Sequence, residues 1–141
     1  MYPWGELNEK NPYIEKFRNS IKNSDGFLIV TPEYNFSIPG FLKNAIDSIS
    51  GPSNLNPFAG KPGAIMSASM SMLGGSRAQY HLRQVLVFLG ARVINKPEVF
   101  ISFAHTKFDD NGRLKDENAV KFIREILDKL VKSARTELNP E

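Results

Sequence analysis

Three short apolar runs alternate with amphipathic helical stripes along this chain, and that alternation constrains its fold more than any other feature. The first run, Phe27-Leu28-Ile29-Val30, is opened by Asp25-Gly26 and has no polar position, the pattern of a parallel strand covered on both faces. Ala64-Ile65-Met66, bounded by Gly63 and Ser67, predicts a second strand, and Val99-Phe100-Ile101-Ser102-Phe103 a third. Around these runs, apolar residues recur at helical spacing. Tyr13, Phe17 and Ile21 follow Asn11-Pro12, which has the form of an N-cap and a first-turn proline. Leu42, Ala45, Ile46 and Ile49 form the next stripe, with Pro39 suited to its first turn. Leu82, Val85, Leu86 and Leu89 end at Gly90, and Val120, Ile123, Leu127, Leu130 and Val131 define a closing helix after the turn at Asp109-Asp110-Asn111-Gly112. Residues 1–11 read as an irregular lead-in and Gly51 to Pro57 as a loop. The order is αβαβαβα without repeats, which predicts an α/β fold with about three parallel strands between two layers of helices.

In such sheets ligands bind at the carboxyl ends of strands. The run Thr31-Pro32-Glu33-Tyr34-Asn35-Phe36-Ser37-Ile38-Pro39-Gly40 occupies that place after the first strand. With Pro32 fixing its path, the loop can present backbone N–H donors from Glu33, Tyr34 and Asn35. Ser67 to Gly75 follows the neighbouring strand, and its small residues let backbone approach a ligand closely. Arg77, Tyr80 and Gln84 share one helix face.

With 141 residues the chain suits one domain over residues 1–141, and a net charge of +3 with scattered Lys and Arg argues against nucleic acid as a partner. Zero cysteine excludes disulfides, thiol catalysis and thiolate metal sites, so redox chemistry has to come from a cofactor. His81 and His105 lack the spacing of a metal site, and no Gly-x-Ser-x-Gly elbow supports a hydrolase. No apolar run approaches the length of about 20 residues that spans a membrane and no signal peptide opens the chain, which places the protein in the cytoplasm by expectation.

The loop from Thr31 to Gly40, with Leu42-Lys43-Asn44-Ala45-Ile46-Asp47 in register, resembles the hallmark of the NAD(P)H-dependent FMN reductases of the flavodoxin-like superfamily. Gly60-Lys61-Pro62, Ser67-Ala68-Ser69 and the block from Leu73 to Gln84 agree, and Asn95-Lys96-Pro97-Glu98 is similar to the bacterial quinone and chromate reductases. The resemblance runs from about residue 12 to about 131. It implies a flavodoxin-like three-layer fold, FMN as cofactor and NADPH or NADH as co-substrate. It also implies an electron acceptor such as a quinone, azo compound, chromate or free flavin. Pro32, Glu33, Tyr34 and Asn35 would contact the flavin, with Ser69 near its outer ring. Arg77, Tyr80 and Glu98 would form a polar network at a subunit interface near the flavin. No protein residue is expected to be catalytic, because flavin N5 carries the chemistry, and no metal is expected.

Family members usually open with a strand and a Gly-Ser-Leu-Arg-type loop that grips the FMN phosphate, so the resemblance also implies a chain lacking the first βαβ portion. Phe27 to Val30 would then be a sheet edge. Leaving large apolar side chains there uncovered would forgo about 1.5–3 kcal/mol each, so a homo-oligomer (dimer or tetramer), a swapped segment or another partner is expected to cover it. The rival reading is a non-catalytic structural or interaction module that keeps the ring-side loops without retaining FMN.

Overall fold

The computed structural model describes residues 11–51 and 55–138; residues 1–10 of the lead-in expected over 1–11, and residues 52–54 of the expected loop, lie outside the described residues. The elements are α1 (Pro12–Lys22), β1 (Phe27–Thr31), α2 (Gly40–Ile49), β2 (Pro62–Ala68), α3 (Ser76–Phe88), β3 (Arg92–Val93), β4 (Val99–Ile101), α4 (Ala104–Lys107) and α5 (Glu117–Leu138). Every strand pair is parallel. β1 runs along one edge of β2, with Phe27 opposite Gly63 and Thr31 opposite Ser67. The other edge of β2 is shared: β3 pairs with Pro62 and Gly63, and β4 with Met66 to Ala68.

Alternation along β2 sorts the core into two layers. Ile65 packs with Phe27, Ile46, Ile49, Leu82 and Leu86 under α2 and α3, while Ala64 and Met66 pack with Val99, Ile101 and Ile126 under α5. Gly63 is required by this arrangement. A Cβ there would fall 2.2 Å from the Phe27 ring, which sits over the glycine and meets Phe58 edge to face.

Four sequence expectations are corrected in detail. The sheet has four strands, because the two residues of β3 return to β2 before β4 begins; a two-residue strand is too short for periodicity to show. The third run stops at Ile101, since Phe103 turns to φ 49 to start α4. Finally, α1 starts where its Asn11 cap and Pro12 place it but presents a different face from the Tyr13-Phe17-Ile21 stripe. Ile14, Arg18 and Ile21 face inward, whereas Tyr13 and Phe17 are exposed. The reason is electrostatic. Against α1 lies the C-terminal end of α2, whose orphan carbonyls need donors, and buried Arg18 gives Nε to Ile49 O at 3.0 Å while pairing with Glu15.

Nor is β1 covered on both faces. Phe27 and Thr31 are buried, but Leu28 and Val30, on the face that α5 covers over β2, are 40% and 63% exposed. Among the described residues no strand pairs with the outer edge of β1.

Candidate functional site

Because β1, β2 and β4 are parallel neighbours, the loops over residues 32–39, 69–75 and 102–103 leave from one rim of the sheet. In the first loop Tyr34 and Ser37 exchange both backbone hydrogen bonds at 2.9 Å. They close a two-residue hairpin with Asn35 at φ 49 and Phe36 at φ 67. Two successive positive φ values are the signature of a type I′ turn. Asparagine tolerates that conformation; a phenylalanine is held there at a cost on the order of 1–2 kcal/mol.

The hairpin is held by α3. The Glu33 side chain, only 6% exposed, accepts from Arg77 Nε through Oε1 at 2.9 Å and faces the Ala78 N–H through Oε2 at 3.4 Å. A carboxylate in that position also meets the positive end of the helix dipole. The Arg77 guanidinium lies 3.6 Å from the centroid of the Phe36 ring, and His81 Nδ1 meets Ser37 Oγ at 2.9 Å. Arg77 and His81 are one helical turn apart, so a single face of α3 grips both sides of the turn.

This geometry redistributes the expected donors. Tyr34 spends its N–H inside the hairpin, so it cannot offer it to a ligand. Among the described residues the N–H groups of Glu33, Asn35 and Phe36 have no partner. The Glu33 side chain is committed to α3, and Pro32 and Asn35 are exposed beside the turn.

The second loop is pinned by glycines. Gly74 (φ 57) and Gly75 (φ 86) lie so close to the strands that a Cβ would fall 2.9 Å from Phe100 Cβ and 2.7 Å from Ser67 Cβ. Buried Ser67 donates to Gly74 O at 2.6 Å and accepts from Gln79 Nε2 at 2.8 Å. Ser69 ties this loop to the third: its N–H reaches Ile101 O, its carbonyl accepts from Ala104 N, and its Oγ accepts from Ser71 N. Tyr34, Phe36, Met70, Met72 and Phe103 remain exposed along the three loops.

The expected Arg77, Tyr80 and Glu98 network is divided within this chain. Tyr80 faces Glu98 and stands edge-on to Phe100, whereas Arg77 turns to Glu33 and Phe36. The Lys96 ammonium, bonded to Glu98 at 2.7 Å, together with Tyr80 and the positive charge of Arg83, holds the Glu98 carboxyl below its ordinary range against the opposing effect of burial. Gln84 is exposed away from both groups, beside Phe88 in a shallow groove. Phe36, Ser37 and His81 were not singled out by sequence as parts of this cluster. The Arg77-His81 spacing was a readable signal; the backbone conformation of Phe36 was not.

A more voluminous open groove, about 920 Å³, lies elsewhere, between the 109–115 loop and α5. Its lining mixes Arg113, Lys121 and Arg124 with Asp109, Glu117 and Asp128, and it lies away from the three loops at the carboxyl ends of the strands. Among the described residues no helix is long and apolar enough to cross a membrane, and no group of three or more His, Asp or Glu could hold a metal ion.

The family described as NADPH-dependent FMN reductase matches residues 3–106. An NAD(P)H-dependent FMN reductase of Pseudomonas aeruginosa is 52% identical over 119 residues, which are 84% of this chain and 64% of that protein. A quinone reductase of Escherichia coli is 48% identical over 108 residues, 76% of this chain and 57% of that protein. The chain thus spans less than two thirds of the length of these relatives. Among solved structures, FerB, a flavoenzyme NAD(P)H:(acceptor) oxidoreductase from Paracoccus denitrificans, superposes with a TM-score of 0.81 at 31% identity, covering 91% of this chain and 70% of FerB.

Proposed function

Because the chain belongs to the NADPH-dependent FMN reductase family, we propose that its carboxyl-edge loops form the ring side of an FMN site serving NAD(P)H-dependent reduction of a quinone, azo, chromate or flavin acceptor. The observation that carries this reading is the strained Asn35–Phe36 turn, whose two N–H groups have no partner among the described residues. An isoalloxazine is flat, largely apolar and edged by carbonyl and ring-nitrogen acceptors. The rim fits it: N–H donors of Glu33, Asn35 and Phe36 without a partner among the described residues stand beside the exposed Tyr34 ring, and Ser69 closes the neighbouring loop. Pro32 fixes the exit of the loop from β1, and Glu33 fixes its approach to α3.

Held by these loops, FMN would supply two-electron hydride chemistry between a nicotinamide and an acceptor. The task left to the protein is to orient the ring and leave one face open, and rigid loops favour both. No side chain near the rim needs to act as acid or base. Tyr80 on α3 and Glu98 just before β4 belong, in this reading, to a subunit interface of a homo-oligomer. A cytoplasmic setting, where reduced nicotinamide is available, goes with this reading.

The test is to add FMN to the purified chain, desalt it and record the visible flavin spectrum, then add NADPH without air. Retained flavin that bleaches supports the proposal. A colourless protein would overturn it for this polypeptide and favour a structural module, and retained flavin that NADPH cannot bleach would leave a binding protein without reductase activity.

A further inference from the structure

The Asn35–Phe36 turn poses a physical problem that flavin binding alone does not answer: what keeps a phenylalanine in the left-handed region while the site is empty? The turn is made by a single pair of reciprocal backbone bonds between Tyr34 and Ser37. An Asn-Gly pair forms such a turn unaided, but Asn-Phe does not, because a Cβ at positive φ crowds the following carbonyl. Among the described residues, the Arg77 side chain touches both the entry to the loop and its tip. Its Nε is bonded to Glu33 Oε1 at 2.9 Å, and its guanidinium covers the Phe36 ring at 3.6 Å from the centroid. Glu33 is nearly buried and faces the Ala78 N–H, so the anchor on which Arg77 pulls is itself fixed to α3.

We propose that Arg77 is a positioning residue, a clamp that holds Phe36 in the strained turn so that the Asn35 and Phe36 N–H groups are presented to the flavin ring before it arrives. This rests on the flavin reading above. In the absence of the clamp the turn relaxes, and binding has to restore it, which lowers affinity without removing any contact to the ligand. The role assigned to Arg77 is thus internal to one chain and separate from any part it plays at a subunit interface.

The chemistry of the turn supplies a test that a merely structural arginine would not pass. Phe36→Gly creates Asn-Gly, the pair that forms this turn without help, so it removes the need for the clamp. Arg77→Ala is expected to raise the Kd for FMN about tenfold when residue 36 is Phe, and by less than about threefold when it is Gly. In the protein without flavin, amide exchange at Tyr34 and Ser37 is expected to speed up in Arg77→Ala and to stay slow in the Arg77→Ala, Phe36→Gly double variant. An equal loss of affinity in both backgrounds, or exchange at Tyr34 and Ser37 unaffected by Arg77→Ala, would overturn the clamp. Failure of the unmodified chain to bind FMN would overturn the flavin reading instead, and the exchange measurement would still decide whether Arg77 holds the turn.

Discussion

Single residues decide whether the rim can form at all. Gly75 is the sharpest case, because its φ of 86 and the 2.7 Å approach of a hypothetical Cβ to Ser67 independently exclude a side chain. Gly75→Ala is expected to cost about 2–4 kcal/mol of unfolding free energy, read from urea titrations, whereas Gly112→Ala, with open space around it, should cost only the smaller conformational penalty. The glycines of the second loop and the Thr31-to-Gly40 run were legible from sequence as loops at the carboxyl ends of neighbouring strands, because each follows a short apolar run and precedes a helical stripe. The turn at Asn35 and Phe36 was not legible, since nothing in the identity of a phenylalanine announces positive φ. The position was set by Arg77, 41 residues further along the chain.

At the scale of elements, helix ends carry much of the specificity. Asp116 precedes α5 and accepts from the Ala119 N–H at 3.0 Å through Oδ1, while Oδ2 pairs with Lys107 at 2.6 Å. These bonds, led by the one from Lys107, hold its carboxyl below the ordinary aspartate range. A depressed carboxylate stabilises the fold fully above its ordinary value, and that contribution disappears as pH falls through the lower folded value. Asp116→Ala should therefore lose about 1 kcal/mol at neutral pH and show a shallower acid-induced loss of urea midpoint below about pH 4 than the unmodified chain. Element type and order were readable wherever an apolar period ran for three turns, as in α3 and α5. The failures have a common physical origin in tertiary demand. α1 buries Arg18 in place of the Tyr13-Phe17 stripe because α2 presents carbonyls to it, and β3 exists only because β2 has a free stretch beside Pro62 and Gly63.

The whole molecule combines a well-buried central strand with an uncovered edge. β2 is buried along nearly its full length, yet Leu28 and Val30 on β1 lie open on the α5 side. A parallel edge strand with exposed apolar side chains favours association. Sedimentation at increasing concentration should reveal self-association, and Val30→Lys should weaken it while leaving the thermal midpoint within a few degrees; a chain that stays monomeric throughout would contradict this. The functional claim rests on the opposite feature, a rim already rigid on the loop side, and it is tested most directly by following backbone amide resonances as FMN is added. The Asn35 and Phe36 N–H signals should shift and become protected from exchange while the Tyr34 N–H, already bonded to Ser37, changes little. Binding of FMN with Asn35 and Phe36 unmoved, and with the shifts gathered elsewhere on the surface, would contradict it.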